Sequence, residues 1–295
     1  MKIVIKDSIV LFMALLLLLS SVEINAQETV LTYVIGDCRV SILSDGGNNA
    51  GSSLLKGATP EILEKYLPDG SFLLETQAFL IRFPDKNVLI DAGTGKNLAK
   101  NLQSLKVPEE QIQIILLTHM HGDHIGGLLR EGKKVFPQAE LYVSQAEYDY
   151  WMDANERGEN ARKVLEAYKD KLHLFVAGEP ESEIPDLISG VKPVAAYGHT
   201  PGHTAFLLES AGQKLLVWGD IAHAMDVQMP CPEVALTFDV NPQQAIQTRK
   251  KILEFVSKNK ISISGAHIKL PAIGNIKVSE LEGYVFTPLC TCLAI

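Results

Sequence analysis

The segment Thr118-His119-Met120-His121-Gly122-Asp123-His124 constrains this chain more than any other stretch. It closes residues 113–118 (QIILLT), an uninterrupted apolar run of the kind found in strands buried on both faces. Three histidines and a carboxylate packed this closely cannot be absorbed into a core. A fold that contains them must deliver them to a strand end and satisfy them there. Imidazole and carboxylate suit zinc, manganese, iron or cobalt. In extended backbone His119 and His121 project to the same side and can share one ion. Gly122 lets the chain turn, so Asp123 and His124 can face a second.

Three later segments end apolar strands in the same way: Gly198-His199-Thr200-Pro201-Gly202-His203, Val217-Trp218-Gly219-Asp220 and Ser264-Gly265-Ala266-His267. They add further ligands in the order His, Asp, His. His199 reads as part of the tight loop that presents His203, not as a ligand itself. His223 lies close enough to Asp220 to line a pocket, either touching substrate or supporting the ligands. His173 reads as a surface residue of a long helical region.

The surrounding pattern is one domain of mixed α and β without an internal repeat, over residues 27–295. Residues 29–43 suggest an opening strand or hairpin, and 44–57 (SDGGNNAGSSLLKG) a polar loop forming a pocket wall. Strands are expected over 75–82, 87–91, 113–118, 139–144, 191–197, 205–209, 214–218 and 261–265. Helices are expected over 98–105, over 145–172 with a break near Gly158, and over 242–258 behind an Asn241 cap and Pro242. The 145–172 region is the second candidate pocket wall. Phe72, Phe79, Tyr150, Trp151 and Phe286 are candidate apolar wall residues.

Lys2 and Lys6 precede an apolar run over 9–19, followed by Ser20, Ser21 and a small residue at Ala26. That is the order of a secretory leader cut after Ala26, and the run is short of the roughly 20 residues a membrane anchor needs. The expected mature protein is periplasmic or secreted, without a stable membrane anchor. Cys38, Cys231, Cys290 and Cys292 make no disulfide framework, and their pairing stays open. A net charge of −8 with no basic block argues against nucleic-acid binding.

The order of these motifs resembles the metallo-β-lactamase superfamily, whose signature is H-x-H-x-D-H. The resemblance runs from residues 89–93 (LIDAG) to His267. It implies a four-layer αββα sandwich of α/β (α+β) class. It also implies one ion held by His119, His121 and His203, a second held by Asp123, His124 and His267, and Asp220 bridging both. Asp91 matches a family carboxylate that orients ligands. Within the superfamily, residues 198–204, 218–228 and 266–274 resemble the exported methyl parathion hydrolase-like and quorum-quenching lactonase-like branch.

The resemblance therefore implies a dinuclear hydrolase, with zinc first and manganese, iron or cobalt as alternatives. A metal-bridging hydroxide would attack a lactone, ester or phosphotriester, with Asp123 and Asp220 as catalytic residues. No Lys/Arg cluster near the motifs points to a phosphorylated substrate. The alternatives are a thioester hydrolase of glyoxalase II type, and an exported metal-binding protein without turnover. A homodimer is left open.

Overall fold

The computed structural model describes residues 29–153 and 156–289. Its first sheet holds β1 (Val30–Ile35), β2 (Cys38–Gly51), β3 (Ser71–Arg82), β4 (Asn87–Ile90), β5 (Ile114–Leu116), β6 (Glu140–Ser144) and β7 (Leu172–Phe175), with spatial order following chain order. From β1 to β4 the neighbours are antiparallel, and from β4 to β7 they are parallel. Parallel neighbours need crossovers. Helix α1 (Pro60–Tyr66) belongs to the β2–β3 connection, while α2 (Leu98–Ser104), α3 (Gly122–Ile125), and α4 (Gln145–Asp153) with α5 (Glu159–Ala167) fall within the three crossovers.

The second sheet holds β8 (Val191–Ala195), β9 (Thr204–Ser210), β10 (Gln213–Val217), β11 (Ser262–Ser264), β12 (Ile273–Val278) and β13 (Tyr284–Pro288). Only β10 and β11 are parallel, and α6 (Met225–Gln228) and α7 (Pro242–Asn259) lie between them in the chain. The expected start of α7 is present: Asn241 Oδ1 accepts from the Gln244 N–H, with Pro242 in the first turn.

Alternation along the strands explains the layering. Phe79, Ile81, Val88, Ile90 and Leu116 face the second sheet and pack in one core with Val194, Phe206, Val217 and Ile263. Their neighbours Ala78, Leu80, Leu89, Ile115 and Leu117 point the other way and are covered by Leu98 and Leu102 of α2 and Val164 and Leu165 of α5. Both faces of β5 are therefore buried, which accounts for its unbroken apolar run. Ile252, Leu253 and Val256 of α7 pack against the second sheet. The order is helix, sheet, sheet, helix, as the family resemblance implies.

Two expectations are corrected. The polar segment 44–57 is not a free loop, because β2 continues to Gly51 as the partner of Ser71–Thr76, past an irregularity at Ser44/Gly46. The ladder satisfies the backbone of a hairpin arm whose Gly47, Asn48 and Asn49 are exposed to solvent. His173 is a surface residue, but of β7 and not of a helix; it pairs in register with Tyr142 and contacts Glu140. Cys38 and Cys231 are buried free thiols, whereas Cys290 and Cys292 lie outside the described residues, as does the leader expected over 1–26.

Arg249 of α7 is 1% exposed and holds down the chain that follows Asp220. Its Nε donates to the Ile221 carbonyl at 2.7 Å, and one terminal nitrogen donates to Pro232 and Val234 carbonyls at 2.8 Å each. Arg249→Met leaves those acceptors without their charged donor, and urea denaturation is expected to show a loss of about 2–4 kcal/mol.

Candidate metal centre

The ligand-type side chains converge at one edge of the two sheets, where β4, β5, β10 and β11 deliver their carboxyl ends. Asp91, just past β4, has φ 57° and is fully buried. Its carboxylate accepts from the Thr118 N–H at 2.8 Å, the Thr118 hydroxyl at 2.7 Å and His124 Nδ1 at 2.8 Å. With its Nδ1 held there, the ring of His124 turns Nε2 toward Asp220 Oδ1, 3.2 Å away.

Three overlapping groups of ligand atoms result, the third being Asp220, His223 and His267. In the first, His119 Nε2 lies 3.0 Å from His121 Nδ1, which lies 2.9 Å from His199 Nε2, and Asp220 Oδ2 closes the set. His199 is fixed by Asp239, whose Oδ1 takes its Nδ1 proton at 2.9 Å while Oδ2 accepts the Leu236 N–H at 2.8 Å. The second group is Asp123, His124 and His267, with His267 Nδ1 bonded to the Glu75 carbonyl. Asp123 is the open member, its side chain 36% exposed. His223 sits beside the first two groups, 3.1 Å from Asp220 Oδ2 and stacked on His267 with ring centroids 4.4 Å apart.

His203 is not brought into the first group, and His199 takes the place expected for it. Both ring nitrogens of His203 are spent on backbone: Nδ1 donates to the Ala196 carbonyl at 2.8 Å, and Nε2 accepts the Asp220 N–H at 3.0 Å. That contact requires Gly219, whose φ is 59° and where a Cβ would stand 2.5 Å from His203 Nε2. His203 thus orients Asp220 from behind. Either histidine of Gly-His-Thr-Pro-Gly-His could ligate on sequence grounds, and only the path of the loop separates them.

Burial pushes His119 well below the ordinary imidazole range, and it takes His121 and His203 down to about 3 and His223 to about 4. His199 responds oppositely: burial opposes its charge, but Asp220 and Asp239 raise it to about 9. Burial likewise opposes charge on Asp220, yet the histidines led by His124 hold it well below the usual carboxylate range. Burial opposes charge on His124 and His267 too, but Asp220 raises both, so His119, His121 and His223 are the uncharged lone-pair donors around the ionised carboxylate. Among the described residues, the buried His124 Nε2 and Asp220 Oδ1 also have no hydrogen-bond partner. These groups fit divalent cations, and nitrogen and oxygen donors without thiolate suit an open site better than a structural one.

Above the groups lies a cavity of about 770 Å³. Tyr150 and Trp151 of α4 line it as expected, together with Arg157 and Asn160. Residues 44–57 do not line it; Leu74 of β3 and the segment 237–240 do. Phe72 and Phe79 are buried in cores, and Phe286 packs against one. Sequence analysis missed Asp239, Phe238, Val240 and Arg157, because nothing in their local pattern marks them.

Residues 72–257 match the family model of the metallo-beta-lactamase superfamily. The crystal structure of the hydrolase AbOPH in the beta lactamase superfamily is 29% identical, with a TM-score of 0.82, over 90% of this chain and 99% of that one. AidC, a dizinc quorum-quenching lactonase in complex with a product N-hexanoyl-L-homoserine, is 25% identical, with a TM-score of 0.79, over 89% of this chain and 98% of that one. YobT of Bacillus subtilis (strain 168) is 24% identical over 189 residues, 62% of this chain and 79% of that one.

The two histidines of the 198–204 loop are separable by experiment. After zinc loading and dialysis, His199→Ala is expected to lose about one metal per chain by elemental analysis. His203→Asn is expected to keep its metal content. The reverse result would restore the assignment made from sequence.

Proposed function

The chain belongs to the metallo-beta-lactamase superfamily as a metal-dependent hydrolase, and from that premise we propose an exported dinuclear enzyme that opens lactones or cleaves related small esters and phosphotriesters. The observation that carries the reading is the placement of Asp220. Its Oδ2 faces His199 at 3.2 Å and His119 at 3.6 Å, while Oδ1 faces His124 at 3.2 Å. One carboxylate thus serves the first two groups. His119, His121 and His199 would hold one divalent ion, and Asp123, His124 and His267 the other, zinc first with manganese, iron or cobalt as alternatives.

Such ions lower the pKa of a coordinated water toward neutrality and polarise a carbonyl or phosphoryl oxygen. The chain's own residues supply the rest. Asp123 is held below the usual carboxylate range, its burial outweighed by His124 and other neighbours, so it is ionised and free to accept a proton and pass it to the leaving group. His223 lines the cavity and is assigned to substrate contact. Tyr150, Trp151, Phe238 and Val240 give the cavity an apolar wall, and among the described residues Arg157 is the one Lys or Arg that lines it. That balance favours a small, largely uncharged substrate over a nucleotide or sugar phosphate. The dizinc lactonase AidC, in complex with its product, supports the same reading.

The test is metal analysis joined to a hydrolysis panel of lactones, aryl esters, phosphotriesters, a thioester and a cephalosporin, with and without chelator. Two metals per chain and chelator-sensitive turnover of a lactone or phosphotriester are expected. Asp220→Asn should lower that turnover by more than about 100-fold. A thioester preference would favour the glyoxalase-type alternative, and bound metal without turnover would favour a binding protein. For export, the full chain expressed in a bacterial host should yield a mature protein outside the cytoplasm with a mass beginning at Gln27.

A further inference from the structure

Ser144-Gln145-Ala146-Glu147 at the start of α4 reads as a capping box, in which the glutamate would fold back to the cap residue's own N–H. Half of the box is present, since the Glu147 N–H donates to Ser144 Oγ at 3.2 Å. The carboxylate, however, is turned away from that role and is 1% exposed. Its Oε1 accepts the Met120 N–H at 2.9 Å and the Trp151 indole N–H at 2.5 Å. Its Oε2 accepts the Thr200 hydroxyl at 2.7 Å and the Gly202 N–H at 3.1 Å.

Those partners are not scattered. Met120 stands between His119 and His121, and Thr200 follows His199. Trp151 lines the cavity with its ring edge-on to His121, centroids 5.6 Å apart. Gly202 makes the docking of the histidine loop on α4 feasible, because a Cβ there would stand 2.2 Å from Glu147 N and 2.4 Å from Ser144 Oγ. The second group is held differently, His124 through Asp91 and His267 through the Glu75 carbonyl.

We propose that Glu147 is the positioning residue of the three-histidine half of the centre, tying the loops of His119, His121 and His199 to the helix that walls the substrate cavity. Three of its four partners, Met120, Trp151 and Gly202, are donors only, so the arrangement requires acceptor oxygens at both ends of the carboxyl group. A glutamine would turn its NH₂ toward one of those donor pairs and push a loop away. The other half, with no contact to Glu147, keeps its geometry. The proposal rests on the site being a two-metal centre.

Competition titration of zinc against a chromophoric chelator tests it on the wild type, Glu147→Gln and Thr200→Val, with thermal unfolding recorded for each. One of the two binding steps in Glu147→Gln is expected to weaken by about 10–100-fold while the other stays within about twofold. Hydrolysis should fall at limiting zinc and recover at saturating zinc. Thr200→Val, which removes a single donor, should weaken the same step by a smaller factor and serves in place of Glu147→Gln should that variant not fold. A folded variant with both steps unchanged, or with both weakened alike, overturns the proposal and leaves Glu147 a packing residue. A wild-type chain that binds fewer than two zinc ions overturns the two-metal reading itself, and shows this before any substitution is made.

Discussion

Asp220 sets the terms for the rest of this structure. It is 4% exposed, and five imidazole nitrogens, from His119, His124, His199, His223 and His267, lie within 3.6 Å of its oxygens. Moving a carboxylate out of water costs several kcal/mol, and the imidazoles around Asp220, some with free lone pairs and others drawn toward the charged form, offset only part of it. Cations coordinated between those lone pairs would offset the remainder. The same arrangement that strains the protein's own electrostatics therefore makes a strong metal site, and fold stability and metal affinity become coupled.

Holding that arrangement takes partners behind each side chain. Asp91, Asp239 and the Glu75 carbonyl fix the protonated nitrogens of His124, His199 and His267, leaving the opposite nitrogens free to face Asp220. His203 and Gly219 aim Asp220 through its backbone, and Arg249 pins the chain just beyond it. Every one of these contacts joins segments far apart in sequence. The two-sheet sandwich is rigid enough to hold them because its strands are covered on both faces and its crossover helices return to the same edge.

How much was legible beforehand differs from element to element. Residues 113–124 announced both a buried strand and a ligand cluster, since apolar continuity and the spacing of His119, His121, Asp123 and His124 are local properties. The start of α7 was equally plain from Asn241 and Pro242. The hairpin arm over 44–51 was not, because Asn48 and Asn49 face solvent and its ladder partner lies in residues 71–76. Nothing in the sequence singled out Glu147, and its place in the centre depends on two loops that only tertiary structure brings together.

The sequence by itself determined the mixed α/β class and the strand ends that gather ligand-type residues, and its motif order carried the resemblance to the family. The class and the strand ends follow from periodicity and from residue types that a core cannot absorb. Only the tertiary structure showed that His199 and not His203 stands with the grouped ligand atoms, and that Phe238 and Val240 wall the cavity while residues 44–57 do not. A histidine's role is set by which of its nitrogens has a lone pair left and where it points. That depends on hydrogen-bond partners such as Asp239 and the Ala196 carbonyl, which approach from another part of the fold or from the way the loop doubles back on its own strand.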